Sequence, residues 1–252
     1  MKSLALSITV LCLTAFSTQG LQELINQSDT LFDKFDNKGA LEILLKANQE
    51  YPHNSPVFWR LCRVETHIAD HMPVTTDQQK KAQLGTYTLA YDYADSAVMT
   101  NPKSSMAYTY RAVANGKIAL FKGVFSVAPI VKQVRNDCEE AIKLDPSNAI
   151  AYYVLGRTHA KLAEKPSIFL WPLGLSWGNM KDAIKFYNKA ISLDPNFVMF
   201  HYDLAKAYIR EDEYKAARDQ LQALSGLPVL DQDDDSLKVE ASKLLNEIKD
   251  KK

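Results

Sequence analysis

The sequence carries no surplus of charge, because its 30 basic residues balance its 30 acidic residues. A chain without net charge has no broad field to attract nucleic acid or an anionic membrane surface, so we expect no nucleic-acid partner. Glycine is scarce, at 9 of 252 residues, and no stretch alternates apolar and polar residues as a half-buried strand does. These absences favour an all-α protein.

The familiar motifs of catalysis are also missing. The sequence contains no G-x-S-x-G, no phosphate-binding loop and no C-x-x-C pair. His67 and His71 lie four residues apart beside Asp70, a spacing that can hold zinc, but no third ligand is evident in the sequence. The acidic run from Asp231 to Asp235 lacks the spaced ligands of a calcium loop, so we interpret it as a solvated helix cap. We expect no enzyme activity, no cofactor and no metal site.

The N-terminus has the three-part layout of a secretory signal peptide. Lys2 precedes an almost wholly apolar run from Leu4 to Phe16, and small or polar residues follow from Ser17 to Gly20. This pattern predicts a signal peptide over residues 1–20, export to the periplasm or the exterior, and no integral membrane span after cleavage. An uncleaved anchor and a buried first helix are the alternatives. Of the remaining cysteines, Cys62 and Cys138 are expected to be buried thiols, although a disulfide between them is compatible with an oxidising compartment.

Residues 21–252 carry an internal repeat marked by alanine and proline. In four places a proline follows an alanine by five residues, and the pairs are Ala47 and Pro52, Ala97 and Pro102, Ala141 and Pro146, and Ala190 and Pro195. Proline ends a helix, and these prolines are 50, 44 and 49 residues apart. A plain tetratricopeptide (TPR) repeat measures about 34 residues. The pattern resembles TPR and predicts an all-α, TPR-like right-handed superhelix, an α-solenoid of about five helical hairpins with insertions and a C-terminal capping helix.

Two of the insertions are strongly apolar, unlike flexible linkers. They cover Gly116 to Pro129 and Pro166 to Trp177. One hypothesis is that they line a binding cleft, since insertions in solenoids map to one face; the alternative is that they complete the core between repeats. The candidate binding residues are Tyr87, Tyr91, Tyr108, Phe121, Phe125, Tyr152, Phe169, Leu170, Trp171 and Trp177. Each of them is equally compatible with a place in the core.

Four phrases of the chain carry a family resemblance: Val57 to Arg63, Tyr108 to Lys122, Ala141 to Pro146 and Ala190 to Tyr208. With the irregular insertions between them, they resemble the regulator of microtubule dynamics family of TPR-like proteins, from about Asn54 to the end of the chain. The resemblance implies a non-enzymatic helical repeat. It also implies the links of that family to microtubule association, to protein docking and, in one case, to phospholipid binding and transfer. Together with the predicted signal peptide, it indicates an exported bacterial relative, in a compartment without tubulin.

These observations lead to two hypotheses about function. A docking scaffold would hold a protein or peptide partner on an open groove lined with polar and aromatic side chains. A carrier of a lipid or another apolar ligand would instead enclose a hydrophobic cavity capped by Phe169, Leu170 and Trp171.

Overall fold

The computed structural model describes residues 19–252, apart from the side chains of Val124 and Phe125. Across these residues the secondary structure is helical, without a strand. The helices are α1 (residues 19–33), α2 (Asn37–Glu50), α3 (Ser55–Asp70), α4 (Asp77–Thr100), α5 (Ser105–Ala119), α6 (Val124–Leu144), α7 (Ala149–Ala163), α8 (Ser167–Leu170), α9 (Met180–Leu193), α10 (Val198–Arg210), α11 (Tyr214–Ser225) and α12 (Asp234–Glu247), with a 3₁₀ turn (Trp171–Leu173) after α8. The predicted signal peptide lies outside the described residues except for its last two.

The repeat ends lie where the prolines predict them. Helices α6 and α9 each stop one residue before an Asp-Pro pair, and Asp145 and Asp194 have extended backbone because the following proline disfavours helical geometry. The helix starts are fixed by N-cap side chains. Asn54, Ser104 and Asn148 each accept a hydrogen bond from the backbone N–H three residues further on, which satisfies one of the unpaired donors of the first turn.

The first of two compact units extends to Thr100 and contains α1 to α4. Its apolar core is made of Ile25, Ala40, Leu44, Ala47, Val57, Leu61 and Val64. The Ser55 hydroxyl donates to the Ala97 carbonyl at 2.9 Å, which ties the start of α3 to the end of α4. Cys62 is a buried thiol that forms no disulfide within the described residues, as predicted.

A charge cluster joins α1 to α3 in this unit. The Arg60 guanidinium donates to both oxygens of Asp29 at 2.8–3.0 Å, and Arg63 donates to the same carboxylate while lying over the Phe32 ring. Burial alone would raise the pKa of Asp29, but the hydrogen bonds and positive charges of the two arginines outweigh it and hold this pKa below its ordinary value. The cluster therefore favours the ionised carboxylate.

The second unit begins at Asn101 and contains α5 to α12. It repeats the connection seen in the first unit, because the Ser105 hydroxyl donates to the Ala141 carbonyl at 2.8 Å. Asn148, at the start of α7, donates in turn to the Ser105 hydroxyl at 2.8 Å. Cys138 is likewise a buried thiol. In both units the accepting carbonyl belongs to an alanine of the sequence repeat, so that alanine fixes a hairpin as well as allowing close packing.

Two insertions lengthen helices. Helix α4 begins at Asp77 and runs for 24 residues. The apolar insertion from Gly116 to Pro129 is divided between the end of α5, a short turn and the start of α6. The insertion from Pro166 to Trp177 forms α8, the 3₁₀ turn and a bend at Gly174, whose φ of +66° suits glycine because it has no Cβ.

Helix α12 closes the helical stack of the second unit, as predicted. Ala241 and the adjoining Ile248 are buried in the core formed with α10 and α11. The acidic run before α12 differs from the expectation of a solvated cap. Asp234 is buried, and its Oδ2 accepts hydrogen bonds from the backbone N–H groups of Leu230 and Asp231, each at 2.8 Å. The run is a folded turn that is solvated only in part.

Candidate interaction site

The two candidate residues of the first unit lie on α4. Tyr87 is buried, and its hydroxyl donates to the Asp70 carboxylate. Burial, followed by the neighbouring carboxylate, raises the pKa of Tyr87 well above its ordinary value. Tyr91 is half-buried one turn further along the helix. Tyr87 therefore connects α4 to α3 and does not lie on an open surface.

Three candidate residues of the second unit are half-buried: Tyr108 on α5, Phe121 in the turn after α5, and Tyr152 on α7. The Tyr152 ring lies 6.4 Å from the Phe186 ring, centroid to centroid, at the edge of the core between α7 and α9. The side chain of Phe125 lies outside the described residues. The described three thus sit at the margin of the core.

The second apolar insertion has an inner and an outer face. Leu170 is buried with Leu175 in a small core, whereas Ile168, Phe169 and Trp171 are 75%, 60% and 78% exposed. The side chains diverge because consecutive residues of a helical turn point about 100° apart, so neighbouring residues of this short segment cannot share one face. Leu170 therefore belongs to a small core, whereas Phe169 and Trp171 lie on the exposed face of the insertion.

Trp177 fastens the end of this insertion to α7. Its ring meets the His159 ring edge-on at 4.9 Å, and the Arg135 guanidinium lies 4.6 Å from its centroid. Burial lowers the pKa of His159 below its ordinary value, which favours the neutral imidazole. Its Nδ1 can then accept the hydrogen bond from the Asn179 backbone N–H, 3.4 Å away. Trp177 is half-buried, and its contact with His159 holds the end of the insertion against α7.

A charged groove between α7 and α10 was not predicted from the sequence. We call it the α7–α10 groove. Its charged side chains are Arg157, Lys161 and Glu164 from α7 and Asp203, Lys206 and Arg210 from α10, and its remaining lining residues are Ala160, Met180, Tyr187 and Ala207. In the sequence these charges look like ordinary solvent-facing positions of two separate helices. They meet because α7 and α10 are the first helices of consecutive hairpins in one unit.

The floor of the groove is held in place by a buried tyrosine. The Tyr153 hydroxyl donates to Asp203 Oδ2 at 2.8 Å. The Tyr153 ring stacks on Phe200 at 4.7 Å and lies 5.7 Å from Tyr187, between ring centroids. Burial, with the nearby Asp203 charge, raises the pKa of Tyr153 well above its ordinary value. The phenol therefore remains a proton donor, and Asp203 is fixed at the base of the groove.

The groove carries more positive than negative charge at its surface. Lys206 and Arg157 approach Asp203 at 3.8 Å and 3.9 Å, while Arg210 and Lys161 approach Glu164 at 3.1 Å and 3.2 Å. The two carboxylate side chains are only 16% and 22% exposed, whereas the four cationic side chains are 43–54% exposed. Solvent and any ligand therefore meet the cations first, and four cations against two anions leave a surplus of two positive charges.

An open cleft of about 490 Å³ adjoins the groove and shares Met180 and Arg210 with it. Its apolar lining includes Leu162, Leu170 and Met180, and its polar lining includes Lys165, Asn179, Arg210 and Glu211. Of the nine candidate residues whose side chains are described, Leu170 alone lines either of these two openings. The sequence thus predicted one lining residue of the cleft and none of the charged residues of the α7–α10 groove.

Within residues 19–252, leaving aside the side chains of Val124 and Phe125, no group of three or more His, Cys, Asp and Glu side chains is placed to hold a metal ion. None of the helices in this described part has the length and apolar character that crossing a membrane requires.

Comparison with known proteins identifies the family. The family model described as regulator of microtubule dynamics protein 1-3 matches residues 24–249. The chain belongs to this family. Its relatives include regulator of microtubule dynamics protein 1 from Mus musculus, 24% identical over 91% of this chain and 75% of the mouse protein. The Bos taurus protein of the same name is 24% identical over 98% of this chain and 78% of its own length. The resemblance found in the sequence is confirmed.

Solved structures place this member of the regulator of microtubule dynamics family among TPR folds. A thermophilic TPR protein from Thermus thermophilus superposes with a TM-score of 0.64 at 16% identity, covering 90% of this chain and 99% of that one. The Pseudomonas aeruginosa protein pilF superposes with a TM-score of 0.53 at 13% identity, covering 92% and 88%. At such identities the likeness concerns the fold alone, and it confirms the predicted all-α, TPR-like solenoid.

Proposed function

We propose that the protein is a non-catalytic docking module that binds a segment of a partner protein across the α7–α10 groove and the adjoining cleft. The observation that carries this proposal is the surface formed by the groove, with its fixed floor and exposed cations, and the adjoining cleft of about 490 Å³. Solenoid repeats use extended surfaces of this kind to bind partners. The fold and the family, a helical repeat scaffold, support the same conclusion.

The groove is also rigid, and a rigid site loses less conformational entropy when a ligand binds. Tyr153 is buried under the floor and holds Asp203 through a hydrogen bond, so little conformational freedom remains to be lost there when a ligand arrives. The adjoining cleft adds an apolar wall at Leu162, Leu170 and Met180. A partner segment would therefore find polar and apolar contacts on one continuous surface.

Selection of peptides from a random phage-displayed library on the purified protein tests the proposal. Ala163 lines the cleft and is exposed, so Ala163→Trp should fill the cleft without disturbing the core. Ala223→Trp, at an exposed position of α11, is the matched control. We expect selected peptides to bind the wild type and Ala223→Trp equally and to lose at least about tenfold in affinity on Ala163→Trp, about 1.4 kcal/mol. Peptides that bind all three proteins alike would refute the assignment to this site.

A second candidate function is binding of a lipid or another apolar ligand, and the exposed Ile168, Phe169 and Trp171 favour it. Contiguous exposed apolar side chains commonly mark an interaction site. Native mass spectrometry of the protein purified from its own host, followed by lipid extraction, tests this function. A lipid bound at near-equal stoichiometry, and lost when Phe169 and Trp171 are replaced by serine, would favour it over docking.

Export through the N-terminal segment is a further part of the proposal. It predicts that the mature protein begins near residue 21, which N-terminal sequencing of protein from the exported fraction checks. We do not extend the proposal to microtubules, which the names of the relatives mention, because an exported chain would not meet tubulin.

A further inference from the structure

We infer that the partner segment is acidic and carries a bulky apolar side chain next to its acidic residues; this inference rests on the proposed docking function. The chemistry of the ligand follows from the two halves of the binding surface, one charged and one apolar. The charged half is the α7–α10 groove, and the apolar half is the adjoining cleft.

The charged half selects for negative charge. Its two carboxylates lie deep and are already occupied, Asp203 by the Tyr153 hydroxyl at 2.8 Å and Glu164 by Arg210 and Lys161 at 3.1–3.2 Å. The cations around them are about half exposed, so they keep hydrated surface that an incoming carboxylate can replace. A basic segment would meet this positive rim first and be repelled.

The position of Lys206 also favours an acidic ligand. Its ammonium is 3.8 Å from the nearest Asp203 oxygen, beyond ordinary hydrogen-bond distance, and it also lies 5.0 Å from the centroid of the Tyr202 ring. An ammonium group has three donors, and a long approach to one carboxylate leaves room for a second acceptor. Lys206 is therefore well placed to receive a ligand carboxylate at the open side of the groove.

The apolar half supplies the second requirement. Leu162, Leu170 and Met180 line the cleft, and the cleft adjoins the groove at Met180 and Arg210, which line both. Its volume of about 490 Å³ exceeds that of any single side chain. A leucine or phenylalanine of the partner segment can therefore enter it while neighbouring acidic residues contact Arg210 and the groove beyond.

Fluorescence anisotropy with three labelled twelve-residue peptides tests the inference on the full chain. The first peptide has glutamates on both sides of a central Leu-Phe pair, the second has serines in place of that pair, and the third has lysines in place of the glutamates. We expect the first to bind at least about tenfold more tightly than either of the others, and its affinity to fall as salt is raised from 50 to 300 mM because exposed charges are screened.

Charge reversal locates the effect. Lys206→Glu should weaken binding of the first peptide at least about fivefold, since it replaces an attraction by a repulsion. Lys215→Glu makes the same charge change on α11, where the side chain is 85% exposed, and should change the affinity less than about twofold. Circular dichroism of both variants checks that the helical fold is kept.

The outcomes separate this inference from the proposed function. Equal binding of the acidic and basic peptides, or tighter binding of the basic one, overturns the inference and leaves docking intact. The inference is also wrong if library-selected peptides bind the groove but carry no excess of acidic residues. Failure of every peptide, including the library, removes the docking function as well. Anionic vesicles that bind through Lys206 where no peptide does would replace a protein segment by a membrane surface.

Discussion

Tyr153→Phe is the substitution that most directly tests the account of the groove floor. It removes the hydroxyl that donates to Asp203 at 2.8 Å and leaves the ring that stacks on Phe200. The apolar packing is kept, so no cavity of consequence is formed. The change in stability therefore reports on one hydrogen bond to a partly buried carboxylate.

The expected cost is about 2 kcal/mol in the free energy of unfolding of the second unit. A hydrogen bond to a charged group contributes about 1.5–3 kcal/mol. Asp203 is only 16% exposed, so water replaces the lost donor poorly, but Arg157 and Lys206 nearby keep part of the stabilisation. For a unit of this size, 2 kcal/mol corresponds to a fall of about 4–8 °C in Tm.

Urea denaturation followed by tryptophan fluorescence gives the measurement. In a Trp59→Phe background the signal comes from the second unit, chiefly from Trp177, because Trp171 is 78% exposed already in the folded protein. Tyr202→Phe is the control, since the Tyr202 hydroxyl donates to Glu240 at the exposed surface. That control should cost about 0.5 kcal/mol or less.

A double-mutant cycle with Asp203→Ala assigns the energy to the pair. Residues in direct contact show coupling energies of about 0.5–3 kcal/mol, and we expect about 1.5–2 kcal/mol here. A coupling near zero, or equal costs for Tyr153→Phe and Tyr202→Phe, would mean that the hydrogen bond does not fix the floor. The Tyr153–Asp203 hydrogen bond would then not explain the rigidity of the groove on which the docking proposal relies.

Three further predictions concern stability. Leu170→Ala should destabilise the second unit by about 2–4 kcal/mol because it opens a cavity in a buried cluster, whereas Trp171→Ala should change stability by less than about 0.5 kcal/mol; urea titration of both variants distinguishes them. Gly178→Ala should cost about 1–3 kcal/mol, since a Cβ there would lie 2.3 Å from the Leu162 Cβ, and a lower Tm would show it. The pKa of Asp29 is held below its ordinary value by two arginines, so its contribution is present at neutral pH and is lost as the pH falls below about 4. Asp29→Asn should therefore be less stable than wild type at pH 7 and lose less stability on acidification, in thermal scans from pH 7 to pH 3.

The repeat ends and the hairpin packing were predictable because they depend on short-range chemistry. Each repeat proline disfavours helical geometry in the residue before it, so the helix stops just ahead of that residue, and an alanine five residues before the proline gives a fixed place for close approach. The structure adds a hydrogen bond at two of these positions, where the main-chain carbonyls of Ala97 and Ala141 accept from Ser55 and Ser105.

The candidate site was predictable only in part. The apolar character of the second insertion marked it as special, but composition alone cannot say which of Phe169, Leu170 and Trp171 faces inward. A helix of four residues is too short for its periodicity to show a buried face. Leu170 is buried because the bend at Gly174 brings Leu175 back onto it, with the Leu175 N–H donating to the Leu170 carbonyl at 3.0 Å.

By itself the sequence determined an all-α repeat of the TPR kind, its family and its repeat boundaries, since these depend on residues close together along the chain. Only the tertiary structure decided which charged side chains lie close together. Arg157 and Glu164 lie on one helix and Asp203, Lys206 and Arg210 on another, and the sequence contains no local signal that relates them. Packing α7 beside α10 places two carboxylates deep and four cations outside them, and this arrangement gives an electrically neutral chain a positive groove.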